Sequence, residues 1–159
     1  MRKLPEVQEA KDLMIQAMDW SSFKWLFEKS RVRQTADRAN AALDRMNRSV
    51  KAQWSDEIKA THKRLCAKTP AALRRLEKDP PQQECTNPET VLLLEKIIEA
   101  DHAAHRVRMD AEDTFDRAEK LMSTDLAREG CQKAIHSWEL HEKAIRKAEA
   151  IANANQMHQ

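Results

Sequence analysis

Acidic and imidazole side chains recur along one face of a long predicted helix in the second half of the chain. At about 100 degrees per residue, five of them fall within about 60 degrees of arc. They are Asp101, His105, Glu112, Asp116 and Glu119. Glu99 and His102 add a Glu-x-x-His pair beside this stripe. Carboxylates and imidazoles that point into a helical bundle are the ligands of paired iron or manganese ions, so this stretch is the strongest candidate for chemistry.

A di-iron or di-manganese site would use six residues of the chain. They are Glu99, His102, His105, Glu112, Glu139 and His141. The resemblance to ferritin-like proteins is limited to one short motif. The site of those proteins needs a second Glu-x-x-His on another helix. Here the next helix carries the reverse order, with His136 before Glu139. In the interpretation that we favour, the acidic stripe meets basic residues of an earlier helix, such as Arg45 and Lys51, and there is no cofactor.

Four of the seven aromatic residues lie within eight positions. They are Trp20, Phe23, Trp25 and Phe27. This cluster has more apolar area than one partner helix covers, so it predicts a protein-binding hot spot. An interfacial membrane anchor and a base-stacking platform are weaker alternatives. A hydrophobic cap, buried where the first helix folds over the next, is the more frequent use of such a cluster and has no binding function.

His62 and Cys66 stand four residues apart on a predicted helix, close enough for thiol and imidazole to meet. A nucleophilic thiol also needs an oxyanion hole, and a glycine-poor helix interior has no free amides to supply one. Because Gly130 is the one glycine, glycine-rich phosphate loops and Gly-x-Ser-x-Gly elbows are absent. Most nucleotide-dependent and hydrolytic enzymes are thereby excluded. The sequence favours a non-catalytic helical interaction or scaffold protein, with a ferritin-like metal protein as the alternative.

The scarcity of helix-breaking residues defines the elements that position these side chains. Neither glycine nor proline occurs from residue 6 to residue 69. The predicted helices span residues 5–18, 22–67, 70–78, 88–122 and 124–153. A proline-containing linker over 79–87 separates a basic half, 1–78, from an acidic half, 88–159, within a single domain. The last two helices are either separate, with Gly130 in the second turn of the later one, or continuous and kinked near Gly130.

Charge and composition complete the prediction. Residues 23–80 carry 15 Lys and Arg against 7 Asp and Glu, and residues 81–159 carry 10 against 15. Packing of the basic half on the acidic half explains this asymmetry better than nucleic-acid binding. We expect an all-α fold, an elongated antiparallel bundle with coiled-coil-like seams and about four main helices, completed as a homodimer. The three cysteines form no Cys-x-x-Cys pair and leave one unmatched. Together with the lack of a signal peptide or membrane-spanning run, they predict a cytoplasmic protein.

Overall fold

The computed structural model describes residues 4–78 and 83–157, and all regular structure in these residues is helical. Six helices follow one another: α1 Pro5–Met18, α2 Ser22–Ala52, α3 Asp56–Cys66, α4 Pro70–Lys78, α5 Pro88–Leu121 and α6 Thr124–Met157. The predicted all-α class is confirmed. The predicted number of about four main helices is wrong for the described residues, which form six. Residues 79–82 of the predicted linker lie outside the described residues.

Two of the long helices begin where the sequence supplies a partner for their free amides. Oγ of Ser21 accepts a hydrogen bond from N of Lys24 at the start of α2. Oδ1 of Asn87 accepts from N of Glu89 at 3.0 Å, and Pro88 takes the first position of α5, where a missing N–H costs nothing. These starts coincide with the positions that the sequence predicts.

The helix predicted over 22–67 is wrong at one point, because α2 and α3 are separate helices. Ser55 has an extended backbone (φ −64°, ψ 159°), and its Oγ accepts a hydrogen bond from N of Ile58. Such a cap competes with continuation of the helix. Trp54 anchors the break, because its Nε1 donates to O of Ala148 in α6 at 3.0 Å. The apolar period continues across the break, so the pattern alone does not reveal it.

Helices α5 and α6 are also separate. Met122 adopts a left-handed backbone (φ 53°), and N of Ser123 donates to O of Ala118 at 3.0 Å, which closes the end of α5. Gly130 then lies in the second turn of α6, as the first of the two sequence alternatives predicts.

One apolar core joins α1, α2, α3, α5 and α6. The most extensive contact is between α5 and α6; α2 packs on α6, α1 packs on both α2 and α6, and α3 packs on α5. The largest fully buried side chains include Met14, Trp25, Leu43, Leu94, Ile97, Trp138 and Ile145. Each such side chain stabilises the fold by about 1.5–3 kcal/mol relative to an exposed position, so burial at this core holds the helices together.

Ion pairs show how α2 runs relative to α5. Arg33, in the first half of α2, pairs with Asp116 and Glu119 near the end of α5. Lys51, near the end of α2, contacts Asp101 in the first half of α5. The two helices therefore run in opposite directions, and long charged side chains bridge them.

Candidate functional site

The six predicted metal ligands do not all come together. Glu99, His102, His105 and Glu139 are exposed, whereas Glu112 and His141 are half-buried. Nε2 of His141 lies 4.0 Å from Oδ1 of Asp44, a carboxylate that is not among the predicted ligands. Among the described residues, no group of three or more His, Cys, Asp or Glu side chains is placed to hold a metal ion. The placement of these side chains therefore gives the iron or manganese hypothesis no support.

The acidic stripe of α5 instead pairs with basic side chains of α2. Arg33 donates hydrogen bonds to both Asp116 and Glu119. Nζ of Lys51 donates to Oδ2 of Asp101 at 2.7 Å. These contacts support the interpretation in which the basic and acidic segments neutralise each other within one chain.

A cavity of about 330 Å³ lies between α2, α5 and α6, and we call it the three-helix cavity. Its polar lining includes Asn40, Asp44, Asn47, Asp101, Arg108 and His141. His102 and His105 also border it, so three of the six predicted metal ligands lie on its wall. A buried hydrogen bond fixes one side of the wall, because Nε1 of Trp138 donates to Oδ1 of Asn40 at 3.0 Å.

Burial controls the protonation state of His141 in the cavity wall. Desolvation lowers its pKa below the ordinary value of 6.5. Asp101 and Asp44 act to raise this pKa, and Arg108 and Lys51 act to lower it, so the charges largely oppose one another. The imidazole is therefore neutral at pH 7.

Two oxygen atoms, in side chains that line the cavity, have almost no accessible surface and no hydrogen-bond partner within the described parts of the chain. They are Oδ1 of Asp101 and Oδ1 of Asn47. The other oxygen of Asp101 is occupied by Lys51, so this carboxylate is only half satisfied. A buried acceptor without a donor costs about 1–3 kcal/mol. Sequence reasoning missed Asn47 as a residue of the cavity, because its position there depends on how α2 lies beside α5.

The structure divides the predicted aromatic cluster into two pairs. Trp20 and Trp25 are buried, with 7% and 1% of their surface exposed, and Trp25 stacks on Phe115. They belong to the core and are not available to a partner. Phe23 and Phe27 are 71% and 73% exposed, and their rings meet edge to face at a centroid distance of 4.9 Å. Residues 23 and 27 are one helical turn apart, whereas residue 25 points to the opposite side of α2.

Other exposed apolar side chains lie at the same end of the molecule as this phenylalanine pair. We call the set the apolar end patch: Phe23, Leu26, Phe27, Leu121 and Met122. The two segments are adjacent because Oγ1 of Thr124 donates to Oγ of Ser22 at 2.6 Å. The apolar period of the sequence places Leu121 on the packed face of its helix. Its exposure follows from its position at the end of α5.

The His62 and Cys66 pair does meet, with Sγ at 3.7 Å from Nε2. Burial raises the pKa of the Cys66 thiol and lowers the pKa of His62, so both side chains are neutral at pH 7. A thiolate nucleophile requires the opposite shift of the thiol pKa. The pair therefore lacks the activation that nucleophilic catalysis needs.

Compared with protein-family models, with curated proteins and with solved structures, the chain has no significant match. Within the described residues, no helix combines the length and the apolar character that a membrane crossing requires.

Proposed function

We propose that this chain is a non-catalytic helical interaction protein that binds an acidic amphipathic helix of a partner protein through the apolar end patch. The observation that carries the proposal is the exposure of Phe23 and Phe27, which present both aromatic rings to solvent. Aromatic side chains contribute much of the affinity at protein interfaces, and water contact with them in the free protein is unfavourable.

The shape of the patch supports a helical partner. Phe23 and Phe27 lie one turn apart on α2, and Leu121 and Met122 approach from the end of α5. Apolar side chains on two neighbouring elements offer a surface on which the apolar stripe of an amphipathic helix can pack. Clustered exposed apolar side chains of this kind mark interaction sites.

The charges around the patch support an acidic partner. Lys24 and Lys120 lie beside it on α2 and α5. Neither makes an ion pair within the described residues, and Nζ of Lys24 lies 5.3 Å from the centroid of the Trp20 ring. Glu119 and Asp125 nearby are already paired with Arg33 and Arg128. Unpaired positive charge therefore flanks the apolar surface, and glutamate or aspartate beside the partner's apolar stripe would complement it.

A second copy of the chain is a less favourable occupant. In a two-fold symmetric contact the same patch faces itself, so Lys24 and Lys120 would lie opposite like charges. The homodimer that the sequence predicts stays a prediction, as does the arrangement of the six helices in a single antiparallel bundle. In this proposal the bundle serves as the rigid support of the patch.

The test uses two synthetic helix-forming peptides of about 18 residues, each with leucine at i, i+3, i+4 and i+7. One has glutamate and the other lysine beside the leucine stripe. We expect the glutamate peptide to bind with a Kd of about 10 µM and the lysine peptide to bind at least about tenfold more weakly. The double variant F23S/F27S should lose binding of the glutamate peptide by more than about tenfold.

Leu92→Ser is the matched control. Leu92 is 53% exposed, similar to Met122, but it lies about 44 Å from Leu121 along α5. This variant should bind the glutamate peptide as the unmodified chain does. Equal binding of both peptides, no binding of either, or full binding by F23S/F27S would overturn the proposal. Light scattering that shows a dimer disrupted by F23S/F27S would also overturn it, by assigning the patch to a second copy.

A further inference from the structure

Basic side chains recur at seven-residue intervals along α2, and we call this set the α2 basic stripe. It consists of Lys24, Arg31, Arg38 and Arg45, all of which are exposed. Seven residues are nearly two helical turns, so successive members lie on one face of α2, about 10.5 Å apart along the axis. The stripe therefore extends for about 31 Å, starting at the apolar end patch.

The stripe does not face the acidic residues of α5. Arg33 and Lys51 make the ion pairs between α2 and α5, and Arg38 lies about 140 degrees around α2 from Arg33. Arg45, which the sequence pattern matches with the acidic stripe of α5, instead pairs with Glu6 of α1. The pairing of α2 with α5 thus leaves a row of cations on the outer face of α2.

The cations of the stripe are held weakly within the chain. Arg38 makes no ion pair within the described residues. Nη1 of Arg31 lies 3.7 Å from Oε2 of Glu28, and Nη2 of Arg45 lies 2.8 Å from Oε2 of Glu6. These two arginine side chains are 66% and 58% exposed. Because ion pairs between exposed side chains contribute little to stability, a partner's carboxylate can take the place of either glutamate at small cost.

Beside the cations, α2 presents side chains on which a second helix can pack. Phe23 and Phe27 come first, and Gln34 and Ala41 follow Phe27 at seven-residue steps. All of them are exposed. In a coiled coil, residues at this spacing contact the partner helix, and the charged row beside them selects the partner through ion pairs. The outer face of α2 has both rows.

We propose that the partner helix runs along the outer face of α2 and carries Asp or Glu at seven-residue intervals opposite the α2 basic stripe. This rests on the proposed function, because the apolar end patch holds one end of the same helix. It adds the length and the charge pattern of the partner, which needs about 23 residues to reach from Phe23 to Arg45.

Two other occupants of this face are disfavoured. A second copy of α2 packed in the antiparallel direction would place its own cations opposite the stripe, where like charges repel. A strand of nucleic acid carries one phosphate about every 3.4 Å. Cations about 10.5 Å apart in a single row would therefore neutralise few of its phosphates.

The test compares the glutamate peptide of about 18 residues with peptides of about 32 residues that add two heptads to it. Each added heptad has one glutamate in register with the stripe, and the extension is placed at either end because a partner can run in either direction. In the control extensions each glutamate is moved by about two residues, to the far side of the helix. Fluorescence anisotropy of labelled peptides measures the affinities.

We expect one of the two extended peptides to bind at least about fivefold more tightly than the short peptide, because it gains ion pairs with Arg38 and Arg45. Both control peptides should bind as the short peptide does. The gain should decrease when sodium chloride is raised from about 50 mM to about 500 mM, since salt screens exposed charges.

Variants test the stripe within the chain. Arg38→Ala should weaken binding of the extended peptide by about threefold and leave binding of the short peptide unchanged. Arg106→Ala is the matched control, because Arg106 is also exposed and without an ion pair among the described residues but lies on α5. It should change neither affinity.

A charge reversal provides a gain of affinity, which cannot result from unfolding. Arg38→Glu should bind an extended peptide with lysine in place of the added glutamates at least about threefold more tightly than the unmodified chain does. Equal binding of the lysine peptide by the two proteins would contradict the proposed contact.

The outcomes separate this inference from the proposed function. If the short peptide binds and no extended peptide binds more tightly than its control, the inference fails and the proposed function stands. If no peptide binds, both fail. Binding of a single-stranded oligonucleotide that Arg38→Ala abolishes would overturn the inference by assigning the stripe to nucleic acid. A dimer that Arg38→Ala disrupts in light scattering would overturn it by assigning the stripe to a second copy.

Discussion

The ring of Phe115 on α5 lies directly against the backbone of α6 at Gly130. A Cβ atom at Gly130 would be 2.8 Å from both Cδ1 and Cε1 of that ring, closer than atoms of this kind approach in folded proteins. Phe115 is buried and its ring stacks on Trp25 at a centroid distance of 6.4 Å, so a shift of the ring would disturb this contact. The single glycine of the chain thus allows two long helices to approach closely around an aromatic side chain.

Gly130→Ala should destabilise the protein by about 1–3 kcal/mol, because the overlap with Phe115 outweighs the gain in helix propensity. Urea denaturation followed by circular dichroism measures the change. In the Phe115→Leu background, where the ring is absent, the same substitution should cost much less. An unchanged or increased stability of the single variant would contradict the close contact.

The buried bond between Trp138 and Asn40 should show strong coupling. Asn40→Ala leaves the indole N–H without a partner, so we expect a loss of about 1–3 kcal/mol in the free energy of unfolding. Trp138→Phe removes the donor from the same bond. In a double-mutant cycle the coupling energy should reach about 0.5–3 kcal/mol. Strict additivity of the two changes would show that the bond does not contribute.

Met122 should respond to substitution in a way that reports its left-handed backbone. Met122→Gly should stabilise the protein by about 0.5–1 kcal/mol, because glycine adopts a positive φ without the steric cost of a side chain. Met122→Val should destabilise it, since a β-branched residue is strained at this φ. Thermal denaturation of the two variants beside the unmodified chain is the measurement. A Met122→Gly variant that is less stable than Met122→Val would contradict the left-handed backbone at Met122.

Acid should weaken the fold through His141. Burial holds the pKa of His141 below 6.5 in the folded chain, so the unfolded chain binds the proton first as the pH falls. The contribution of this residue to stability is therefore present above pH 6.5 and is lost as the pH falls below that value. Urea denaturation between about pH 7 and pH 5 should show a smaller loss for His141→Gln than for the unmodified chain. Identical losses of stability in the two proteins would contradict the lowered pKa of His141.

Local signals in the sequence predict most of the helices, but not the interruption within the longest one. Pro88 and Asn87 mark the start of α5 because proline and an Asx cap act on their own neighbours. Ser55 is also a good cap, and Asp56 and Glu57 follow it in the first turn of α3, but the apolar period that continues across Ser55 outweighs these local signals. Its break is fixed by the contact between Trp54 and Ala148, which are far apart in the chain.

The candidate site shows the same limit. The aromatic cluster is visible as composition, but its division into buried and exposed members depends on where α2 lies on α6, which fixes Trp25 inward and Phe27 outward. The three-helix cavity joins residues of three helices, such as Asn47 and His141, that no sequence spacing relates. The predicted metal ligands are gathered only in part: His102 and His105 of α5 and His141 of α6 border the three-helix cavity, and the other three predicted ligands do not.

The contact between α2 and α6 has a consequence for synthesis on the ribosome. The chain between the end of α2 and the start of α6 is about 70 residues long, and its translation takes about 4 to 14 s at ordinary rates. During that interval the inward face of α2, with Val32 and Leu43, has no α6 to cover it. The nascent chain thus has a period of exposure to aggregation, which a circular permutant that begins with α5 and α6 would shorten.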